Sequence, residues 1–147
     1  MCSHRLTCRF EPPEQSWLGV TIEGPSSGVS FSGSSTPLDS VNELVAVLLR
    51  VLQFGAGGEV GWNEEPDTVL MVFTGRGDGI RLRVDRISRD GHTTLLEHDD
   101  TAHPVVAAFL SGLKQLEAEC AEDEYEAGRR HPFPRDAVAQ LNRLLNP

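Results

Sequence analysis

Apolar and polar residues alternate with period two along the first part of the chain. In "HRLTCRFEP", Leu6, Cys8 and Phe10 fall on one side and Arg5, Thr7 and Arg9 on the other. That is the pattern of a half-buried strand. Pro12 and Pro13 end it. "WLGVTIEG" repeats the alternation, with Leu18, Val20 and Ile22 on one face. "PSSG" is a turn, and "GVSFSG" adds Val29 and Phe31 as a third short strand. Strands joined this way form an antiparallel meander.

The period then changes. In "SSTPLDSVNELVAVLLRVLQFG", Val41, Leu44, Val45, Leu48 and Leu52 recur at helical spacing. Thr36 stands at the N-cap, Pro37 at the first helical position and Asp39 at the third, a variant of the capping box. Gly55 terminates the helix, which spans residues 37 to 54. "AGGEVGWN" gives a loop and a short strand. "DTVLMVF" is an apolar run with no polar side, expected in the middle of the sheet. "TGRGDG" and "SRDGH" are turns by composition. Between them "IRLRVDRI" places Ile80, Leu82 and Val84 inward and Arg81, Arg83 and Asp85 outward, and "TTLLEH" supplies a last strand.

A long helix opens near Pro104, with Val106, Phe109, Leu110, Leu113 and Leu116 as its stripe. "HPFP" breaks it, and "PRDAVAQLNRLLNP" forms a short helix with Val138, Leu141 and Leu145 on one side. The order βββ-α-ββββ-α-α predicts an α+β fold, an antiparallel sheet with helices packed on it. No linker divides the 147 residues, so one domain, 1–147, is expected.

Charge narrows the range of functions. The net charge is -9 and the chain is 24% charged and 39% hydrophobic, which is globular rather than disordered. A nucleic-acid binder needs a basic face; none is visible, and acids repel anionic membranes as well. The same charge favours a basic protein partner and speeds encounter with it. Cys2, Cys8 and Cys120 are odd in number and irregular in spacing, which is no disulfide framework. With no apolar leader and no membrane-length run, a reduced, cytoplasmic protein is the expectation.

Candidate chemistry is sparse. "CSHRLTC" and "HDDTAH" contain metal-ligand types without a zinc pattern, and acids before a helix suit its dipole instead. No nucleophile elbow or phosphate loop is present. Acidic neighbours should raise the Cys120 thiol and blunt it. "RGD" at Arg76–Asp78 reads as a hairpin coincidence. No cofactor, metal or catalytic residue is expected. Two partner-binding clusters remain. One is the loop "GWNEEPD", where Trp62 would be an exposed aromatic anchor among Glu64, Glu65 and Asp67, and Pro66 holds Glu65 extended. The other is Glu122, Asp123 and Glu124 with Tyr125 as anchor. There, acids late in a long helix oppose its macrodipole, a local cost that hints at function.

In this format the chain resembles the small cytoplasmic immunity proteins of bacterial toxin systems. The resemblance spans the whole chain and carries over no residue. It implies a non-enzymatic inhibitor that neutralises a toxin, often a basic nuclease, by covering its active site. The alternatives are a homodimer formed by the long and C-terminal helices, whose stripes would meet a second copy, and a small enzyme or ligand binder. The last would need a deep pocket lined by His92, His98 or His103.

Overall fold

The structure, a computed structural model, describes residues 6–34 and 39–147. Seven strands run in chain order as one antiparallel sheet: β1 (Thr7–Phe10), β2 (Trp17–Glu23), β3 (Gly28–Ser34), β4 (Gly58–Asn63), β5 (Thr68–Arg76), β6 (Gly79–Ser88) and β7 (Gly91–Thr101). Four helices accompany them: α1 (Ser40–Phe54), α2 (Ala102–Glu119), α3 (Glu122–Arg129) and α4 (Arg135–Leu145). The expected α+β class and antiparallel sheet are present, with one helix more than the pattern predicted.

Period-two alternation decides what each strand buries. Leu18, Val20 and Ile22 of β2, Val69, Met71 and Phe73 of β5, and Ile80, Leu82 and Val84 of β6 all point into one core. Three helices cover that face: α2 lies on β1, α1 on β4, and α4 packs against both helices. Val106, Phe109, Leu110, Leu113 and Leu116 of α2, and Val138, Leu141 and Leu145 of α4, are buried in this same core. The two stripes expected to meet a second copy are therefore consumed within the chain. No helix among the described residues is long and apolar enough to cross a membrane.

The helix boundaries differ from the sequence expectation. Asp39, not Thr36, is the α1 N-cap, its side chain accepting from the Asn42 amide. Thr36 and Pro37 lie outside the described residues. Gly55 ends α1 as expected, at φ +63, where its amide donates to Val51. The second helix opens at Ala102, two residues ahead of Pro104. It also breaks at Cys120, whose backbone is extended, and restarts as α3. That break turns Tyr125 into the core, edge-on to Phe133 at 5.2 Å.

The sheet holds two meanders, β1–β3 and β4–β7, that share a seam. β2 and β3 pair over seven residues and β5 and β6 over nine; among the described residues β3 meets β4 at Ser34 with Asn63. Side chains pack across the seam as well. Trp62 of β4 is fully buried and reaches across to Phe31 at 5.6 Å and Phe10 at 6.4 Å. It lies so close to β3 that a Cβ added to Gly33 would sit 2.9 Å from its ring. On the α1 side, the Ser40 hydroxyl donates to the Gly61 carbonyl at 2.5 Å, tying the connecting helix to β4.

Gly33→Ala is therefore expected to destabilise by about 1–3 kcal/mol through overpacking against Trp62. Gly61→Ala, on the same seam strand but with no described residue within 4 Å of an added Cβ, should be neutral or stabilising by up to about 1 kcal/mol. Denaturant midpoints of the two variants check both.

Candidate functional site

On the other face of the sheet the seam opens into a cleft of about 480 Å³, lined by Trp17, Ser32, Glu64, Glu65, Pro66, Asp67 and Arg86. One wall comes from β2 and β3, the other from the β4–β5 turn and β6, so both meanders build it.

The acidic wall is the turn "EEPD". Asn63 pairs with Thr68 at the strand ends, and the Glu64 amide donates to the Asp67 carbonyl at 2.8 Å, closing the loop. The Asn63 side chain accepts from the Glu65 amide at 3.1 Å. Glu64 takes a two-pronged hydrogen bond from Arg86, at 2.8 and 3.0 Å. That bond raises the Arg86 guanidinium above its ordinary value, against a smaller opposing effect of burial. Glu65 accepts from the Asn63 side-chain amide at 3.4 Å and Asp67 acts on Arg86 through charge, but neither forms an ion pair with a described residue.

Two expectations about this loop are corrected. Trp62 is not an exposed anchor: Val60 and Trp62 share the inward face of β4, and the indole fills the seam. Glu65 is not extended either. It takes φ +46, and the Glu65–Pro66 peptide is cis. The aromatic that does stand beside the acids is Trp17, 36% exposed. Its place was readable: the alternation that buries Leu18, Val20 and Ile22 puts Trp17 on the opposite face.

Trp17 is held from behind. A bridge between Glu14 and Trp17 makes a tight turn whose Gln15 and Ser16 have φ of +51 and +76. The Ser16 amide donates to Gly128 of α3 at 2.5 Å. Arg129, wholly buried, donates from Nη1 to the Ser16 carbonyl at 3.0 Å and the Gly33 carbonyl at 2.5 Å. Burial lowers its guanidinium below the ordinary value, with Tyr125 and Asp39 working against that. Among the described residues, non-glycine positive φ occurs only at Gln15, Ser16, Glu65 and Arg130. Two of these precede Trp17, one is in the acidic turn, and one follows the arginine that anchors the far wall. Such residues cost on the order of 1–3 kcal/mol each and persist where the surroundings over-determine them.

The second expected cluster reads differently once the helix is seen to break. Glu122, Asp123 and Glu124 form the first turn of α3, where the macrodipole favours them. The cost that hinted at function is absent. Glu122 also lies 3.5 Å from Arg135, which reaches Glu117 at 3.3 Å. Tyr125 is 2% exposed and is a core residue, not an interface anchor. Burial raises its hydroxyl, with Arg129 opposing. The end of α3 that touches the cleft wall is the far one, roughly 9 Å along the axis from these acids at 1.5 Å per residue.

The histidines do not converge. His98 is buried with Nε2 3.6 Å from Asp100, and exposed His103 lies 3.2 Å from the Leu145 carbonyl. His92 sits on the outer face, 2.9 Å from Asp85. No group of three or more His, Cys, Asp or Glu among the described residues is placed to hold a metal. Burial raises the Cys120 thiol, and Glu124 and Asp123 add to it, as the sequence suggested. Cys8 is raised further, by burial alone.

Asp85 is the buried carboxylate of the outer face, set where a bulge leaves Leu95 as an extra residue in β7. Burial pushes its pKa up, but bonds from His92, Arg83 and Thr94 together bring it below the ordinary 3.8. A depressed carboxyl contributes stability that is present above 3.8 and lost as pH falls through its folded value. The stability difference between wild type and Asp85→Asn should hold from pH 6 to about 4 and shrink below that. Denaturant unfolding at stepped pH checks it.

No protein-family model, curated protein or solved structure matches the chain, so the reading of this cleft rests on its own geometry.

Proposed function

We propose that this protein is a non-enzymatic, acidic protein-binding module that occludes a basic partner, in the manner of an immunity protein or inhibitor, and that the seam cleft is its recognition surface. The observation that carries the reading is the placement of exposed Trp17 against Glu65 and Asp67. An aromatic beside a charged rim is what protein interfaces use as an anchor. The strained turns on both walls support it, since strain of this kind collects at ligand-holding sites. The net charge of -9 supplies long-range steering toward a basic surface. Contact then buries the indole, and the acids at the rim set orientation.

Affinity capture from a lysate of the source cells, with wild type and a Trp17→Ala/Glu65→Lys/Asp67→Lys variant run in parallel, tests this. The expected result is a basic protein retained by wild type, released by high salt and lost from the variant. Identical captures by the two proteins would overturn it.

A further inference from the structure

We propose that the seam cleft receives a single cationic side chain of the partner, an arginine guanidinium or lysine ammonium, laid on the Trp17 ring. The proposal rests on the reading of the cleft as a recognition surface and adds the chemistry of its occupant.

Charge complementarity selects the cation. Glu64, Glu65 and Asp67 line the cleft with Arg86, leaving two negative charges in excess. The excess is located. Glu64 is spent on Arg86 through both of its oxygens, while Glu65 takes a 3.4 Å hydrogen bond from the Asn63 side-chain amide and Asp67 acts on Arg86 through charge alone, neither in an ion pair with a described residue. A partner anion would meet these two carboxylates, and an apolar side chain would strip water from them without replacing it.

The second element is independent of the acids. Trp17 comes from the other meander, is 36% exposed and lines the cleft. Tryptophan is the strongest aromatic partner for a cation over its face. A guanidinium adds planar stacking and a fork of donors that matches a carboxylate. Ring and carboxylates sit on opposite sides of a seam whose walls are each pinned, by Arg129 behind Trp17 and by Arg86 behind Glu64. The cleft is thus built in advance for a flat cation between a ring and two anions, with little left to order on binding.

The test uses acetyl-Gly-Arg-Gly-amide, its lysine counterpart and its norleucine counterpart. Each is titrated into the full-length protein while the indole N–H resonances are followed by NMR. The chain has two tryptophans, so buried Trp62 serves as the internal control. A saturable shift of the Trp17 signal is expected with the arginine and lysine peptides, with Trp62 unmoved. The norleucine peptide should bind about tenfold more weakly. Glu65→Gln/Asp67→Asn, whose native fold is checked by its spectrum, should weaken arginine-peptide binding about fivefold or more.

Equal binding of the norleucine and arginine peptides would overturn the cationic occupant and leave the cleft as a recognition surface. No response of Trp17 to any peptide would overturn the occupant as well. Loss of a captured partner from the triple variant, in that case, would show that the broader reading survives alone.

Discussion

The seam between β3 and β4 is the constraint on which the rest depends. Two meanders, each hydrogen-bonded within itself, meet there, with Ser34 paired to Asn63 among the described residues. Trp62 fills the core side of the junction against Phe10, Phe31 and the bare backbone of Gly33. Buried aromatics carry large apolar area and specific ring geometry, so one indole can lock the two halves together.

On the outer face, where β4 ends at Asn63 and the chain turns away from β3, the seam opens as a cleft. Where strands stay fully paired, the outer face is a flat ladder such as Arg81 with Asp99, bonded at 2.8 and 2.9 Å. Where they part, Trp17 and the acidic turn stand apart with space between them. The buried Arg129 then has an intelligible place. It spans from α3 to carbonyls on both β3 and the turn before β2, so one side chain fixes the wall that carries the exposed ring.

Much of this fold was legible in the sequence, because period-two and helical repeats state which face of each element is wet. Strands β1, β2 and β6 and the stripes of α1, α2 and α4 follow from that rule, and β5 from its unbroken apolar run. The break at Cys120 was not legible. Residues 117 to 126 are polar enough to continue a helix, and the extended Cys120 that precedes buried Tyr125 has no local signal. The exchange of roles between the two tryptophans is more instructive. Local company suggested that Trp62, set among acids, was exposed, whereas alternation places it inward with Val60. Alternation equally places Trp17 outward, opposite Leu18. The cleft itself could not be read, since Trp17 and Glu65 meet only through the sheet order. The strained φ at Glu65 likewise has no sequence signature, as a residue before proline favours the opposite geometry.

Chain order and sheet order coincide from β1 to β7, and this bears on how the molecule assembles. Each hairpin closes over a short loop, which loop-closure entropy makes cheap and fast. The exception is the junction of Ser34 with Asn63, which must wait for the whole of α1 to be laid between them. By that ranking the two meanders are the quick events and their union is the slow one. Trp17 and the acidic turn, one from each side, come within reach of each other only in that final closure, so completion of the fold and completion of the cleft are a single event.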